Sequence, residues 1–434
     1  MIRFVNHASF VVESGGVSLL CDPWISGTVF HQGWSLIAEQ DHAGLDEVDY
    51  IWFSHEHPDH FSISFLRSIP EHRRPQITIL YQTMPDGRVA SFCRQMGFAV
   101  KELTHAREED LGGGIRIVCG KIPFYDSWLY IETPDYRILN TNDCILESPA
   151  RLKLIQPHVD RCDILFTQFS YANWQDSRDN RKARQDLAQE KLRRIALQSE
   201  MFHPRFIVPF ASFCYFSHVE NEFMNADINM PVDVVNFVAD HCDADPVLLI
   251  PDERWDGLTP KHNGPALEWW AKQYSQALSR EKTMPGKSVP FMDLCLKADG
   301  AMRRVRQRNN YAIVTALQRL GITRRLEFHL TDSGQAVSFD WIGGLQLLGA
   351  PSLHAIEIHS ESLAFIFDND FGIDTVNVNA RFEGSIRDKK RMIALFSVLE
   401  LNNTGRCLKF SDGLKLVNPA LVQQGLRTIG LSRA

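Results

Sequence analysis

The sequence predicts an α/β protein in two parts: a long α/β unit over residues 1–285 and a smaller α+β unit over 290–434. Three observations carry that expectation. β-rich runs and helical stretches alternate through the first part, the pattern of a layered fold. The polar stretch 279–288, Ser-Arg-Glu-Lys-Thr-Met-Pro-Gly-Lys-Ser, has the character of a linker. Between them, the segment Phe53-Ser54-His55-Glu56-His57-Pro58-Asp59-His60-Phe61 crowds three imidazoles and two carboxylates behind a short apolar run, 49–53.

The elements follow in order. Residues 3–5, 9–13 and 17–21 are short strands, with Gly15-Gly16 as a hairpin turn and Asp22-Pro23-Trp24 closing the third. Residues 25–48 form a long insertion carrying His31, Trp34 and His42, which either walls a substrate site or packs on the domain. Residues 49–53 read as a buried strand, 62–69 as a helix, 76–81 as a strand, 87–97 as a helix ending at Gly97, and 99–103 as a strand. Gly112-Gly113-Gly114 turns the chain into a strand at 115–120. A strand at 163–169 leads to Ser170-Tyr171-Ala172-Asn173-Trp174 and a polar stretch, 175–185. The helix that follows ends near Met201, with Leu187, Leu192, Ile195 and Ala196 on its apolar face. Residues 203–212 form the last strand of this part. In the second part, 325–330 and 336–341 pair around Asp332-Ser333-Gly334, 355–358 is a strand and 360–367 a helix.

Composition narrows the function classes. The chain has 434 residues, 44% hydrophobic and 23% charged, ordinary for a globular protein. A net charge of −7 argues against a partner held through phosphate neutralisation, so no nucleic acid is expected. The first residues lack the long apolar core of a signal peptide, and no run of about 18 apolar residues predicts a membrane span. Nine scattered cysteines without C-x-x-C spacing read as free thiols in a reducing, cytoplasmic setting.

The crowded loop carries the chemistry. Imidazole and carboxylate suit zinc, iron or manganese, so two divalent metal ions are the expected cofactors. His55-X-His57-X-Asp59-His60 resembles the H-x-H-x-D-H signature of the metallo-β-lactamase superfamily. Asn6-His7-Ala8-Ser9 and Cys21-Asp22-Pro23-Trp24 resemble the G-H-A-S and T-D-P-W segments of one branch. That branch includes L-ascorbate-6-phosphate lactonase, N-acyl-phosphatidylethanolamine phospholipase D and CMP-N-acetylneuraminate hydroxylase. The resemblance implies a four-layer αββα fold for 1–285. His55 and His57 would bind one metal; Asp59 and His60 would serve the second. The superfamily's third histidine falls on Asp126, in Phe124-Tyr125-Asp126-Ser127, and the bridging aspartate on Asp143, in Thr141-Asn142-Asp143. His105 competes with Asp126. The last strand usually ends at a metal-binding histidine but here ends in Phe210-Ala211-Ser212-Phe213, so His218 or Glu222 is the expected substitute. His218 would either close the second site or act as general acid.

Two reactions follow from the resemblance. A hydrolase of an ester, lactone or phosphodiester is the first expectation, with Asp59 positioning or deprotonating the nucleophile. His7, Asp22, Trp24 and Tyr171 would then contact a small-molecule substrate. The alternative is a di-iron oxygenase, favoured by Asp126 in place of histidine, which needs a separate electron donor because the sequence has no C-x-H…C-x-x-H Rieske motif. The string Phe371-Gly372-Ile373-Asp374-Thr375-Val376-Asn377-Val378-Asn379-Ala380-Arg381-Phe382 resembles an F-G-x-D-T-[LV]-x-V-N-x-R-F pattern that follows lactamase domains in hydroxylase-like bacterial proteins. The surrounding region is distantly similar to a sterol-carrier fold, and a packing, homodimerisation or lipid-binding role is open to it.

Overall fold

The protein is described from a computed structural model covering residues 1–41, 44–122 and 126–409. His42, Phe124 and Tyr125 lie outside the described residues. Two seven-stranded sheets form the centre of the first part. One runs Arg254–Trp255, Ile2–Asn6, Ser9–Ser14, Val17–Cys21, Tyr50–Phe53, Thr78–Gln82, Ala99–Leu103. The other runs Asp245–Pro246, Phe206–Phe210, Ile164–Gln168, Arg137–Asn142, Ser127–Glu132, Ile115–Lys121, Glu108–Gly112. Their apolar faces meet, with Phe10 stacked on Phe166 at 4.2 Å between ring centres. The helices Ile63–Ser68 and Arg88–Gln95 cover the first sheet through Phe65, Leu66 and Cys93. Arg181–Phe202, Pro231–His241 and Gly264–Ser279 cover the second through Ile195, Val234 and Trp270. The result is the αββα order.

Strand direction places the site. Each sheet is mixed, and its parallel strands lie where the buried apolar runs are longest. Val17–Cys21, Tyr50–Phe53 and Thr78–Gln82 are parallel neighbours in one sheet. Arg137–Asn142, Ile164–Gln168 and Phe206–Phe210 are parallel neighbours in the other. The carboxyl ends of these strands lead into Asp22, the His55–His60 loop, Asp143 and Gln168. Loops at the carboxyl ends of parallel strands are where such sheets bind ligands.

The second part has a four-stranded sheet, Gly344–Leu348, Ala336–Asp340, Leu326–Leu330, Ile356–Ile358. The pair around Asp332-Ser333-Gly334 is antiparallel, as the turn chemistry predicts. Phe291–Arg308, Tyr311–Arg319, Ser360–Asp368, Gly372–Asn379 and Ile386–Asn403 are its helices.

Residues 25–48 join the two parts. Thr28–Val29 and Trp34–Leu36 form a small sheet with Cys214–Phe216. Phe30 and Trp34 are buried in the same apolar cluster as Phe328, Val376 and Phe396 of the second part. A Cβ at Gly33 would overlap the side chain of Asn379, so only glycine allows this approach. The insertion is therefore packed between the parts. No helix among the described residues is long and apolar enough to cross a membrane.

Candidate metal centre

The Tyr50–Phe53 strand is buried at Ile51, Trp52 and Phe53, and the loop leaves it already inside the protein. The amides of His60 and Phe61 both donate to the His57 carbonyl, at 3.0 and 2.7 Å, closing a tight turn past Pro58. His55, Asp59 and His60 are buried, and His57 is half-buried at the rim.

The strand ends beside the loop fix its rings. Asp22 sits at a positive φ of 40° just after Val17–Cys21. Its Oδ1 accepts from the Ser54 amide at 2.8 Å, and its Oδ2 lies 2.9 Å from His60 Nδ1. His60 Nε2 is thereby turned inward, 3.5 Å from Asp59 Oδ2 and 3.4 Å from Asp143 Oδ2. Ser54 Oγ lies 2.9 Å from His55 Nδ1, which turns His55 Nε2 inward too, 2.8 Å from His57 Nδ1 and 3.9 Å from Asp126 Oδ1. The Ser54 carbonyl is itself held by Gln82 and by Ser127 Oγ at 3.1 and 2.6 Å.

The second sheet brings the opposing carboxylates. Asp126 precedes Ser127–Glu132, and Asp143 follows Arg137–Asn142. Gln168 Nε2 donates to Asp143 Oδ1 at 2.9 Å, and Lys191 Nζ donates to Gln168 Oε1. His7, at a positive φ of 35°, enters from the first hairpin with its Nε2 3.5 Å from Asp59 Oδ2. The Ala211 amide donates to the His7 carbonyl at 2.7 Å. His7 thus stands beside the end of the last strand, the place where the superfamily's final histidine is expected.

Among the described residues, two groups have ligand atoms within 4.8 Å of one another: His7, Asp59 and His60; and His55, His60 and Asp143. Both His7 ring nitrogens, Asp59 Oδ1 and His60 Nε2 are buried without a hydrogen-bond partner among the described residues. Orphaned buried polar atoms are costly unless something else satisfies them. Imidazoles and carboxylates with converging free atoms fit a pair of divalent cations.

The charges are tightly interdependent. Burial opposes the imidazolium of His60, but Asp59, Asp143 and Asp22 outweigh it and hold its pKa well above the usual histidine range. Burial and the neighbouring rings of His60 and His57 push His55 well down, leaving it neutral. Burial also raises the Asp126 carboxyl, and Asp143 adds to the effect against His57, to about 7. For His57, burial is outweighed by a hydrogen bond to Asp374 and by that residue's charge, which carry it to about 9. A bound cation would replace the protons that His57, His60 and Asp126 otherwise hold.

Several expected positions differ. Asp22 is wholly buried with both oxygens engaged, so it braces His60 and cannot face a leaving group. Trp24 is buried with its ring edge-on to His7 at 5.2 Å, and it backs that ring. Tyr171 is buried, and its hydroxyl is spent on the Met224 carbonyl. His218 does not join the cluster. The Cys214–Phe216 strand pairs with Trp34–Leu36 and carries the chain towards the second part. There His218 Nδ1 is 3.3 Å from Glu220, which Arg381 holds at 2.7 Å. Burial, and then Arg381, depress its pKa to about 3, which removes it as a general acid near neutrality. Glu222 is exposed. His105 is exposed too, its Nδ1 accepting from the Lys121 amide at 3.0 Å.

Four neighbours escape sequence reasoning. Gln168 and Lys191 carry no motif. Cys214 feels the charges of Asp59 and Asp143, which with burial raise its thiol pKa. Asp374 Oδ2 lies 3.0 Å from His57 Nε2, across 317 residues of chain; its only sequence signal is the F-G-x-D-T string.

Residues 1–114 match the family described as a Beta-lactamase superfamily domain. Cytidine monophosphate-N-acetylneuraminic acid hydroxylase of Danio rerio is 27% identical over 184 residues, covering 39% of this chain and 29% of that protein. A Mycobacterium tuberculosis protein named for a Rieske 2Fe-2S iron-sulfur centre is 27% identical over 190 residues, covering 40% of this chain and 35% of that one. The chain therefore spans about a third of the length of these curated relatives. Among solved structures, the diiron β-hydroxylase CmlA of Streptomyces venezuelae is 17% identical with a TM-score of 0.40, covering 57% of this chain and 52% of that chain. Residues 1–114 thus carry a metallo-β-lactamase superfamily domain, and the relatives this chain resembles include CMP-N-acetylneuraminate hydroxylase.

Proposed function

We propose that this enzyme is a dinuclear iron oxygenase that hydroxylates a small molecule in the cytoplasm, with electrons from a donor outside these 434 residues. The observation that carries the reading is Asp126. Its Oδ1 lies 3.9 Å from His55 Nε2, and we read this carboxylate as standing in for the superfamily's third histidine. That change makes the donor set oxygen-rich, which favours iron or manganese over zinc. The hydroxylase and Rieske names of the relatives support the same reading.

His55, His57, Asp126 and Asp143 would hold one metal. Asp59, His60 and Asp143 would hold the other, with His7 supplying the ligand that His218 does not. A bound iron pair supplies O₂ activation, whereas a bound zinc pair would supply Lewis acidity for hydrolysis of an ester, lactone or phosphodiester. The chain's own residues set the stage for either. Asp22 and Ser54 fix the ring orientations of His60 and His55, as outer partners of metal-binding histidines do. Gln168 and Lys191 hold one oxygen of Asp143 and leave the other facing His60. Trp24 packs edge-on against His7 and shields that buried ring, and Phe30 packs against one side of His57.

The hydrolytic reading rests on Asp59, whose buried Oδ1 has no hydrogen-bond partner among the described residues and could position the nucleophile. Anaerobic purification with metal analysis separates the two. The oxygenase reading expects two irons per chain and a change in the visible spectrum on adding O₂ and reductant. Two zincs with no response to O₂ would refute it and select the hydrolase.

A further inference from the structure

The Phe371–Phe382 string is not used by the metal ligands just assigned, yet it touches the lactamase-like part at Asp374, Asn377, Asn379, Arg381 and Phe382. The Gly372–Asn379 helix carries Asp374 at its start, and Asp374 Oδ2 meets His57 Nε2 at 3.0 Å. At the other end, Asn379 Nδ2 donates to the Phe30 carbonyl at 3.0 Å. Asn221 Nδ2 donates back to the Asn379 carbonyl at 2.6 Å. Arg381, 1% exposed, donates to the His31 carbonyl at 2.9 Å and to Glu220 and Glu361 at 2.7 and 3.0 Å. The helix is thus clamped by the insertion on one side and by the segment after Phe216 on another. Its N-terminal end is left against the metal loop.

The two nitrogens of His57 are divided. Nδ1 faces His55 Nε2 at 2.8 Å, inside the cluster, and Nε2 faces Asp374. A carboxylate on Nε2 selects the tautomer with hydrogen on that atom and leaves the Nδ1 lone pair pointing inward. We infer that Asp374 is a positioning residue for His57, so that the docked second part of the chain completes the metal centre. The inference rests on the reading of His57 as a ligand. It also accounts for three polar residues of the string, Asp374, Asn379 and Arg381. The aspartate sets the ring, while the asparagine and arginine of V-N-x-R-F fix the helix that carries it.

The test uses the full chain and cobalt(II) as the probe, with Asp374→Asn, Asp374→Glu and His57→Ala beside the wild type. Affinity comes from chelator competition and coordination from the visible d–d bands; the fold is checked by thermal unfolding of the metal-free proteins. Asp374 is 41% exposed at its side chain, so the isosteric Asp374→Asn change keeps the fold and costs the metal-free protein only the partly solvent-screened pair with His57. Its cobalt affinity at the His57 position should fall about 10–100-fold, the usual effect of losing an outer partner, with shifted d–d bands. Asp374→Glu should restore much of both. Wild-type affinity and spectrum in Asp374→Asn would overturn the inference. So would outright loss of one cobalt per chain, which would make Asp374 a ligand. A full metal complement in His57→Ala would instead sink the ligand reading beneath it, whatever Asp374 does.

Discussion

Asp22→Asn tests how the inner rings are held. The substitution keeps the shape of a wholly buried side chain but exchanges one acceptor for a donor. In the wild type, Oδ1 serves the Ser54 amide at 2.8 Å and Oδ2 serves His60 Nδ1 at 2.9 Å. An asparagine can satisfy only one of the two. If its oxygen stays on Ser54, its amino group faces His60 Nδ1. The ring must then place its hydrogen on Nε2, the atom aimed at Asp59 and Asp143. If the amide flips, the buried Ser54 N–H loses its acceptor, a loss of about 1–3 kcal/mol in stability. The first outcome removes a ligand lone pair. Loss of such an outer partner weakens metal binding about 10–100-fold, which is roughly 1.4–2.8 kcal/mol at about 1.4 kcal/mol per tenfold. Chelator competition reads the first quantity and thermal unfolding of the metal-free protein reads the second. An Asp22→Asn protein with native metal affinity and native stability would refute the bracing role of Asp22.

Three further outcomes are expected. Asp126→His should shift selectivity from iron towards zinc, and Asp126→Ala should weaken metal binding about as much as loss of a loop histidine; unchanged metal content in both would remove Asp126 from the site. His7→Ala should lower occupancy of the second metal position while His218→Ala leaves metal content unchanged, and the reverse pattern by metal analysis would restore His218 as the closing ligand. Metal uptake should tighten with pH, because His57 keeps its proton to about 9 in the metal-free chain and the metal must displace it. Between pH 7 and 9 the apparent affinity should rise by roughly tenfold to a hundredfold per unit, because His57 and His60 both give up a proton to the metal. Below about 7 the Asp126 proton steepens the slope. A flat profile in chelator competition would contradict this balance.

The parts of the site legible in the sequence are those whose geometry is local. His55, His57, Asp59 and His60 lie within six positions, so a single turn after one strand brings them together. The order of strands along the chain is legible for the same reason: each run and each glycine turn is a short-range signal. His7 and Asp22 are visible as motif residues, but their roles depend on which strand ends lie side by side. Sheet order decides that, and no window of sequence contains it. Asp374 is the extreme case, 317 residues from the ring it touches. Phe291–Arg308, by contrast, is legible, because its buried Leu294, Ala298, Ala301, Met302 and Val305 fall at helical spacing. His218 is the converse of Asp374: it follows the last strand closely in sequence, yet the Cys214–Phe216 strand carries it away from the metals.

The burial of Phe30, Trp34 and Trp174 against residues of the second part has a practical consequence. Truncation in the 279–288 stretch, the natural place to cut for expressing a metal domain alone, would strip cover from those rings. It would also leave Glu220 without its guanidinium. Such a fragment would present a broad sticky face to its neighbours and precipitate at concentrations the whole chain tolerates.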